Sequence, residues 1–256
     1  MRTLRRGWRA ARTGTAFAVF GIGALLLVGV VFPLLACGAA GRRRELRAQW
    51  VIHQTFRAFV TIMRALGLFR LTWEGRDRLG VPGGRVVVAN HPTLIDVVLL
   101  IAALPHADCV VKKAAWRNRF LRRIVAAAGY IPNDDGPDVA AACVARVRAG
   151  ATLLLFPEGT RSPRARLGGF YRGAARIALE AGCDVVPVVI RCQPPTLAKG
   201  ERWFDVPPRR PHITIEVQPA VSASAGAYGA AAPLAARRLT DDLHHLFEQR
   251  LSHAVA

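Results

Sequence analysis

Acidic residues and lysine are both scarce in this chain of 256 residues. Seventeen acids stand against 36 basic residues, of which only Lys112, Lys113 and Lys199 are lysines, so arginine carries most of a formal net charge of +19. The chain is nevertheless 52% hydrophobic. Disordered basic tails are less apolar, and ordinary cytosolic enzymes are less basic. Because the sequence has no RNA- or DNA-binding motif, we predict a membrane partner and no nucleic acid.

The sequence also lacks the common motifs for metal, nucleotide and nucleophile chemistry. Its five cysteines are scattered and form no C-x-x-C pair, which fits neither a disulfide framework nor a zinc site and predicts buried thiols in a reducing compartment. There is no H-E-x-x-H, EF-hand loop, Walker A loop, complete dinucleotide fingerprint or G-x-S-x-G elbow. We therefore predict no metal and no cofactor.

The N-terminal region combines long apolar sequence with arginine. No charged residue occurs from Thr13 to Gly41, and Phe17–Cys37 is almost wholly apolar. This run exceeds the ~20 residues that a membrane-spanning helix needs. Residues 1–70 contain twelve arginines and one acid, Glu45, a net of +11 that suits an anionic membrane surface. We predict an uncleaved membrane anchor; both flanks are basic, so their charge does not orient it, and a spanning and a re-entrant helix both stay open.

Residues 46–66 form a second apolar and basic segment. A narrow polar stripe recurs at helical spacing, and apolar residues cover the rest of the helix. The stripe consists of Arg47, Gln54, Arg57, Thr61 and Arg64. This pattern is typical of an amphipathic helix in the membrane interface, and equally of a core helix in the domain that follows. The first interpretation gives a membrane region over residues 1–70 and a separate domain over residues 71–256.

From residue 71 onward, short β-rich runs alternate with helical stretches. This alternation predicts an α/β domain with a mixed, mostly parallel sheet flanked by helices. The predicted strands are 71–74, 85–89, 109–111, 152–156, 184–190 and 213–217. The predicted helices are 94–104, 116–128, 137–148, 172–181 and 235–251.

A histidine and an aspartate follow the second predicted strand, in Asn90-His91-Pro92-Thr93-Leu94-Ile95-Asp96. The ends of strands are where sites usually form on α/β sheets. A carboxylate bound to one imidazole nitrogen fixes the tautomer and leaves the other nitrogen free to take up a proton. The H-x4-D spacing is a weak signal by itself, and without other evidence a structural histidine is the simpler interpretation.

The strand at 152–156 runs directly into Pro157-Glu158-Gly159-Thr160-Arg161-Ser162. Gly159 permits a tight turn, which leaves backbone N–H groups and the Arg161 guanidinium directed at one place. Such groups recognise phosphate or carboxylate through paired, charge-assisted hydrogen bonds. The alternative is an ordinary turn with a solvated arginine.

His91-x4-Asp96, followed by the run from Phe156 to Ser162, resembles the lysophosphatidate (1-acylglycerol-3-phosphate) acyltransferase family over about residues 70–220. The resemblance implies transfer of a fatty acyl group from an acyl-CoA or acyl carrier protein thioester to the free hydroxyl of a lysophospholipid. It implies that His91 is the general base and that Asp96 orients it. It also implies that Glu158, Gly159, Thr160 and Arg161 bind the acceptor lipid and its phosphate. Because these donors are cytoplasmic, the domain is expected on the cytoplasmic side of the cell membrane.

One position departs from the family's pattern. The family's middle motif resembles Gly-x-Ile-Pro-x-Asp-Arg, whereas residues 129–135 end in Asp135. A carboxylate at that position repels an acceptor phosphate. Either another arginine, such as Arg122, Arg123 or Arg172, supplies the missing positive charge, or the acceptor is a different lysolipid, such as an aminoacyl lipid, which is a second hypothesis. A catalytically silent membrane adaptor and a lipid thioesterase are the remaining alternatives.

Overall fold

A seven-stranded sheet organises the part of the chain that the computed structural model describes, which comprises residues 2–36, 40–133, 137–163, 166–223, 228 and 232–252. The strands are β1 (Arg70–Glu74), β2 (Arg85–Ala89), β3 (Ala107–Lys112), β4 (Ile131–Asn133), β5 (Thr152–Leu155), β6 (Val185–Gln193) and β7 (His212–Val217). Their spatial order is β1-β7-β6-β2-β5-β3-β4. Only β6 and β7 pair antiparallel among these described strands. The predicted mixed, mostly parallel sheet is confirmed.

Helices cover the sheet and precede it. They are α1 (Arg2–Leu26), α2 (Phe32–Ala36), α3 (Gly41–Ala65), α4 (Asp96–Ile101), α5 (Lys113–Arg117), α6 (Arg119–Ala127), α7 (Pro137–Arg148), α8 (Gly173–Ala181) and α9 (Ala232–Ser252). A π-helical turn at Leu27–Val31 joins α1 to α2, and a 3-10 turn at Arg76–Gly80 follows β1.

The central strand β2 is buried on both faces. Val86 and Val88 pack with residues of α7, α8 and α9, whereas Val87 and Ala89 pack with residues of α3, α4 and α6. All four side chains are inaccessible to solvent. A parallel strand covered on both faces needs apolar residues at every position, which explains why this strand has no polar alternation.

Helix α3 packs against the sheet domain along one face. Its residues Ile52, Phe59 and Met63 belong to the same buried cluster as Val87 of β2. The polar stripe predicted from the sequence lies away from this cluster, and Arg57 and Arg64 are exposed. The sequence left two interpretations open for residues 46–66. The structure shows the apolar face of this segment packed on the sheet domain. The division at residue 70 stays a prediction.

Polar contacts fix the N-terminal half of α3 as well. Arg42 donates from both terminal nitrogens to the buried carboxylate of Asp108, at 3.0 and 2.8 Å, and Gln49 Nε2 donates to the same carboxylate at 2.6 Å. Glu45 accepts from Arg146 of α7 and from Arg42, and these arginines hold the pKa of Glu45 below its ordinary value. These long-range bonds attach α3 to both β3 and α7.

Little of the apolar N-terminal helix is buried. By length and composition, Gly7–Leu35 is the one helix among the described residues that could cross a membrane. Only 17% of its most apolar window is buried inside the protein, and Ile22, Leu26 and Leu34 are more than half exposed. An apolar surface of this kind is compatible with membrane association. Whether the helix spans the bilayer or re-enters it stays a prediction.

Several predicted elements differ in extent from the observed ones. The predicted helix 116–128 is two helices, because Asn118 takes an extended conformation and accepts hydrogen bonds from the backbone of Phe120 and Leu121 as an N-cap. Strand β4 was not predicted, since it has three residues and contains Pro132. Proline is tolerated there because β4 is an edge strand. Asp135 lies outside the described residues.

Candidate active site

His91 and Asp96 form a direct contact at the end of β2. The ring Nδ1 of His91 lies 2.9 Å from Oδ2 of Asp96. The Asp96 carboxylate is fully buried, whereas the His91 side chain keeps 15% of its surface exposed. A carboxylate acceptor places the imidazole proton on Nδ1, which leaves Nε2 to accept a proton. The arrangement is one that a general base requires.

Thr93 completes the environment of Asp96. Its backbone N–H donates to Oδ2 at 2.7 Å, and its hydroxyl donates to Oδ1 at 2.5 Å. Burial raises the pKa of Asp96, whereas the hydrogen bonds from His91 and Thr93 oppose that rise. Both carboxylate oxygens therefore have partners, so the carboxylate cannot rotate without losing hydrogen bonds.

Two neighbours fix the position of the histidine loop. The His91 ring stacks on Phe156 at the end of β5, with ring centroids 4.4 Å apart and an interplanar angle of 29°. Asn90 bonds the backbone of Ile190 in β6 in both directions, accepting from its N–H at 2.7 Å and donating to its carbonyl at 2.9 Å. The loop is thus attached to the strands on both sides of β2.

Glu158 lies beneath the same loop and is 5% exposed. Its Oε1 accepts from the backbone N–H of His91 at 3.0 Å and from the Ser162 hydroxyl at 2.6 Å. Its Oε2 accepts from the backbone N–H of Gly168 at 2.8 Å. These contacts join the two motifs to each other. The acceptor-binding role predicted for Glu158 stays a prediction.

Gly159 makes the turn after Glu158 with a left-handed φ of +63°. A Cβ at this position would lie 2.9 Å from the ring of Tyr171, which is closer than carbon atoms approach without displacement. Glycine is therefore required both by the backbone conformation and by the space. Thr160 follows it and is half-buried.

Arg161 is engaged with the loop between β6 and β7. Its Nη1 donates to the backbone carbonyls of Leu197 at 3.0 Å and of Ala198 at 2.9 Å. The same loop contacts the segment between His91 and Asp96, because Leu94 N–H donates to the Leu197 carbonyl at 3.1 Å. Arg161 therefore joins the second motif to the loop between β6 and β7. Its predicted binding of phosphate stays a prediction.

An apolar cavity of about 240 Å³ lies between α1 and the segment that follows His91. Leu94 and Ile95, which stand between His91 and Asp96 in the sequence, form part of its wall. The opposite wall comes from α1, α3 and the β6–β7 loop, and includes Phe20, Phe59 and Trp203. A cavity with such walls accommodates an aliphatic chain next to the His91 segment.

Burial raises the pKa of each cysteine thiol that the structure describes, which makes these thiols poor nucleophiles. Burial raises the pKa of Cys143 and of Cys183 to about 11. Cys109, Cys143, Cys183 and Cys192 are free thiols, and Cys37 lies outside the described residues. Among the residues that the structure covers, no group of three or more His, Cys, Asp and Glu side chains is placed to hold a metal ion.

Sequence reasoning placed the principal residues but missed those that support them. The missed residues are Asn90, Thr93, Phe156 and Ser162, all of which lie inside the two motifs. The spacing of Thr93, three residues before Asp96, is a usable signal because aspartate side chains often bond backbone groups three residues away, as Asp96 does with the Thr93 N–H. Nothing in the sequence indicated that Leu197 and Ala198 would receive Arg161.

Part of this chain is similar to known acyltransferases. Residues 70–191 match the family model described as Acyltransferase. A 1-acyl-sn-glycerol-3-phosphate acyltransferase of Chlamydomonas reinhardtii is 31% identical over 132 residues, which are 48% of this chain and 39% of that protein. One from Helicobacter pylori is 28% identical over 135 residues, 48% of this chain and 55% of that protein.

A solved structure matches the whole fold. The crystal structure of the 1-acyl-sn-glycerophosphate (LPA) acyltransferase PlsC from Thermotoga maritima superposes with a TM-score of 0.74 and 17% identity, covering 100% of this chain and 98% of that one. At this identity the match shows the fold alone. The first curated relatives are matched over only about a third to two fifths of their own length.

Proposed function

We propose that this chain, whose residues 70–191 match the family model described as Acyltransferase, moves a fatty acyl group from a thioester to the free hydroxyl of a lysophosphatidate-like lipid. The observation that carries the proposal is the contact between His91 Nδ1 and the buried carboxylate of Asp96. It leaves one partly exposed imidazole nitrogen for an acceptor hydroxyl. An adaptor without catalysis has no need of this arrangement.

The reaction needs no nucleophile from the protein. His91 Nε2 takes the proton of the acceptor hydroxyl as the oxygen attacks the thioester carbonyl. The carbon–sulfur bond then breaks, the ester bond remains, and the imidazolium returns its proton to the departing thiolate. Asp96 stabilises the imidazolium in between, because its carboxylate lies 2.9 Å from Nδ1.

The names of the relatives and the cavity support a glycerolipid acceptor. The matched proteins are named 1-acyl-sn-glycerol-3-phosphate acyltransferases, which favours a glycerol phosphate over an aminoacyl lipid. The apolar cavity beside Leu94 and Ile95 suits an acyl chain, and the helix Gly7–Leu35, little of which is buried, suits attachment to the membrane that holds the lipid. The donor is an acyl-CoA or an acyl carrier protein thioester, with the domain on the cytoplasmic side.

The test is acyl transfer by the purified full chain in mixed micelles. Acyl-CoA and acyl carrier protein thioesters are each supplied with lysophosphatidate or with a lysolipid that has a cationic head group, and the products are identified by mass spectrometry. We expect diacylglycerol phosphate, and a loss of about 100-fold or more in His91→Ala, the usual contribution of a general base. His245→Ala on α9 is the matched control, since that side chain is 73% exposed.

Other outcomes would contradict the proposal in distinct ways. Preference for the cationic acceptor would favour the aminoacyl-lipid hypothesis. Release of free fatty acid without use of any acceptor would indicate a thioesterase. Absence of turnover with every donor, in a folded protein that binds membranes, would indicate the adaptor.

A further inference from the structure

Helices α5 and α6 carry a basic surface that the proposed chemistry does not use. No acidic residue occurs from residue 109 to residue 133. The exposed cations and large apolar side chains of this segment are Lys112, Lys113, Arg117, Arg119, Phe120, Leu121, Arg122 and Arg123. We call this set the α5–α6 surface. A segment that has several cations and no acid attracts anionic partners.

Apolar side chains stand out from the same surface. Phe120 is 57% exposed and Leu121 is 40% exposed, although Val125 of the same helix is buried in the core. The side chain of Asn118 accepts from the backbone N–H of Phe120 at 3.0 Å and of Leu121 at 3.1 Å, which fixes the first turn of α6. The two side chains are therefore presented from an ordered helix end.

The α5–α6 surface adjoins the apolar N-terminal helix. Helix α6 contacts the π-helical turn Leu27–Val31, and it also contacts α3. The turn belongs to the segment Gly7–Leu35, little of which is buried and which is long and apolar enough to cross a bilayer. A membrane that receives this segment would therefore lie close to α6.

We propose that the α5–α6 surface binds anionic phospholipid, with Phe120 and Leu121 entering the boundary between head groups and acyl chains and the arginines contacting phosphate groups. Exposed apolar side chains flanked by arginine are what an interfacial helix needs, because burial of apolar area and attraction to anionic head groups act together. An acidic protein would be attracted to the charge, but continuity with the apolar helix favours a bilayer. This binding does not depend on the catalytic activity.

The test measures where Phe120 lies when the full chain is in a membrane. Phe120→Cys is labelled with an environment-sensitive fluorophore and reconstituted into vesicles of phosphatidylcholine with or without phosphatidylglycerol. Leu234→Cys is the matched control, because Leu234 is 45% exposed and lies on α9, which covers the other face of the sheet. The unsubstituted chain gives the background from the native thiols.

The proposal predicts a blue shift of the fluorescence emission, and quenching by spin-labelled lipid, for the label at position 120. Both effects should be present with phosphatidylglycerol, reduced without it, and absent for the label at position 234. Replacing Arg119, Arg122 and Arg123 by Gln in the Phe120→Cys chain should abolish most of this quenching, while Arg237→Gln and Arg238→Gln on α9 should not. A label at 120 as exposed to water as that at 234 would overturn the proposal. Quenching that is independent of phosphatidylglycerol, or failure of the chain to float with vesicles, would overturn it as well.

Discussion

The carboxylate of Glu158 holds the backbone of His91, since Oε1 of Glu158 accepts from the His91 N–H at 3.0 Å. The return contact runs from Ser162, whose N–H donates to the His91 carbonyl at 2.7 Å. The motif after β5 is thus part of the support of the histidine after β2. This relationship gives Glu158 a positioning role that differs from direct binding of the acceptor.

Glu158→Gln is expected to lower both stability and turnover. The amide cannot accept at both ends, so the side chain loses its hydrogen bond from the backbone N–H of either His91 or Gly168. We expect a loss of about 2 kcal/mol in the free energy of unfolding, typical of hydrogen bonds to a charged group, with a lower kcat. Glu248→Gln on α9 is the control, because its side chain is 52% exposed. A higher KM for the acceptor with unchanged stability would instead show direct binding.

Thr93→Val tests the support of Asp96. The change removes the hydroxyl bond to Oδ1 but keeps the backbone bond to Oδ2. We expect kcat to fall while KM for the acceptor stays the same, because Asp96 becomes freer to move away from His91. Thr240→Val is a matched control, since its buried hydroxyl donates to the Ala236 carbonyl of the same helix. Both variants should lose about 1 kcal/mol of stability, so an equal loss of activity in both would refute the specific role of Thr93.

Asp96→Asn is expected to change how the stability of the protein depends on pH and to remove most of the transfer activity. Burial raises the native pKa of Asp96 above its unfolded value, so the native state binds the proton more tightly. Stability therefore falls as pH rises from about 4, the unfolded value, through the native pKa, and it stays lower above that pKa. The amide has no such ionisation, so the variant should gain stability relative to the parent chain as pH rises, with little transfer activity.

The measurement is thermal unfolding of both chains in detergent across this pH range, with acyl transfer assayed beside it. Asp241→Asn provides the control, because that carboxylate is 60% exposed on α9. An Asp96→Asn chain whose stability relative to the parent is the same at every pH would contradict the assigned shift.

Gly159→Ala should strain the turn in two separable ways. The left-handed φ of +63° disfavours any residue with a Cβ, and the new Cβ meets the ring of Tyr171. We expect a loss of about 1 kcal/mol from the backbone alone, with a further loss from the contact. Adding Tyr171→Ala should recover the second part only, as measured by unfolding of the single and double variants. Additive effects of the two substitutions would show that the contact carries no strain.

Local sequence patterns predicted most of the helices and strands, and both motifs were recognisable from the sequence. The apolar runs at 85–89 and 152–156 predicted β2 and β5, and the motifs follow the ends of these strands. The sequence alone does not indicate that β2 and β5 are neighbouring strands. The contacts between the two motifs could therefore not be predicted from either motif. For residues 46–66 the helical stripe was compatible with a membrane interface and with a core, because both environments select the same apolar face.

The sequence by itself determined which groups carry the proposed chemistry, because the imidazole, the carboxylates, the glycine and the arginine occur in two short runs whose local spacing is fixed by covalent geometry. The tertiary structure decided what each of them contacts. Parallel pairing of β2 with β5 brings Glu158 to His91, and the loop after β6 brings Leu197 to Arg161. Such contacts join residues 36 and 67 positions apart, and they depend on the packing of the whole chain and not on any local preference.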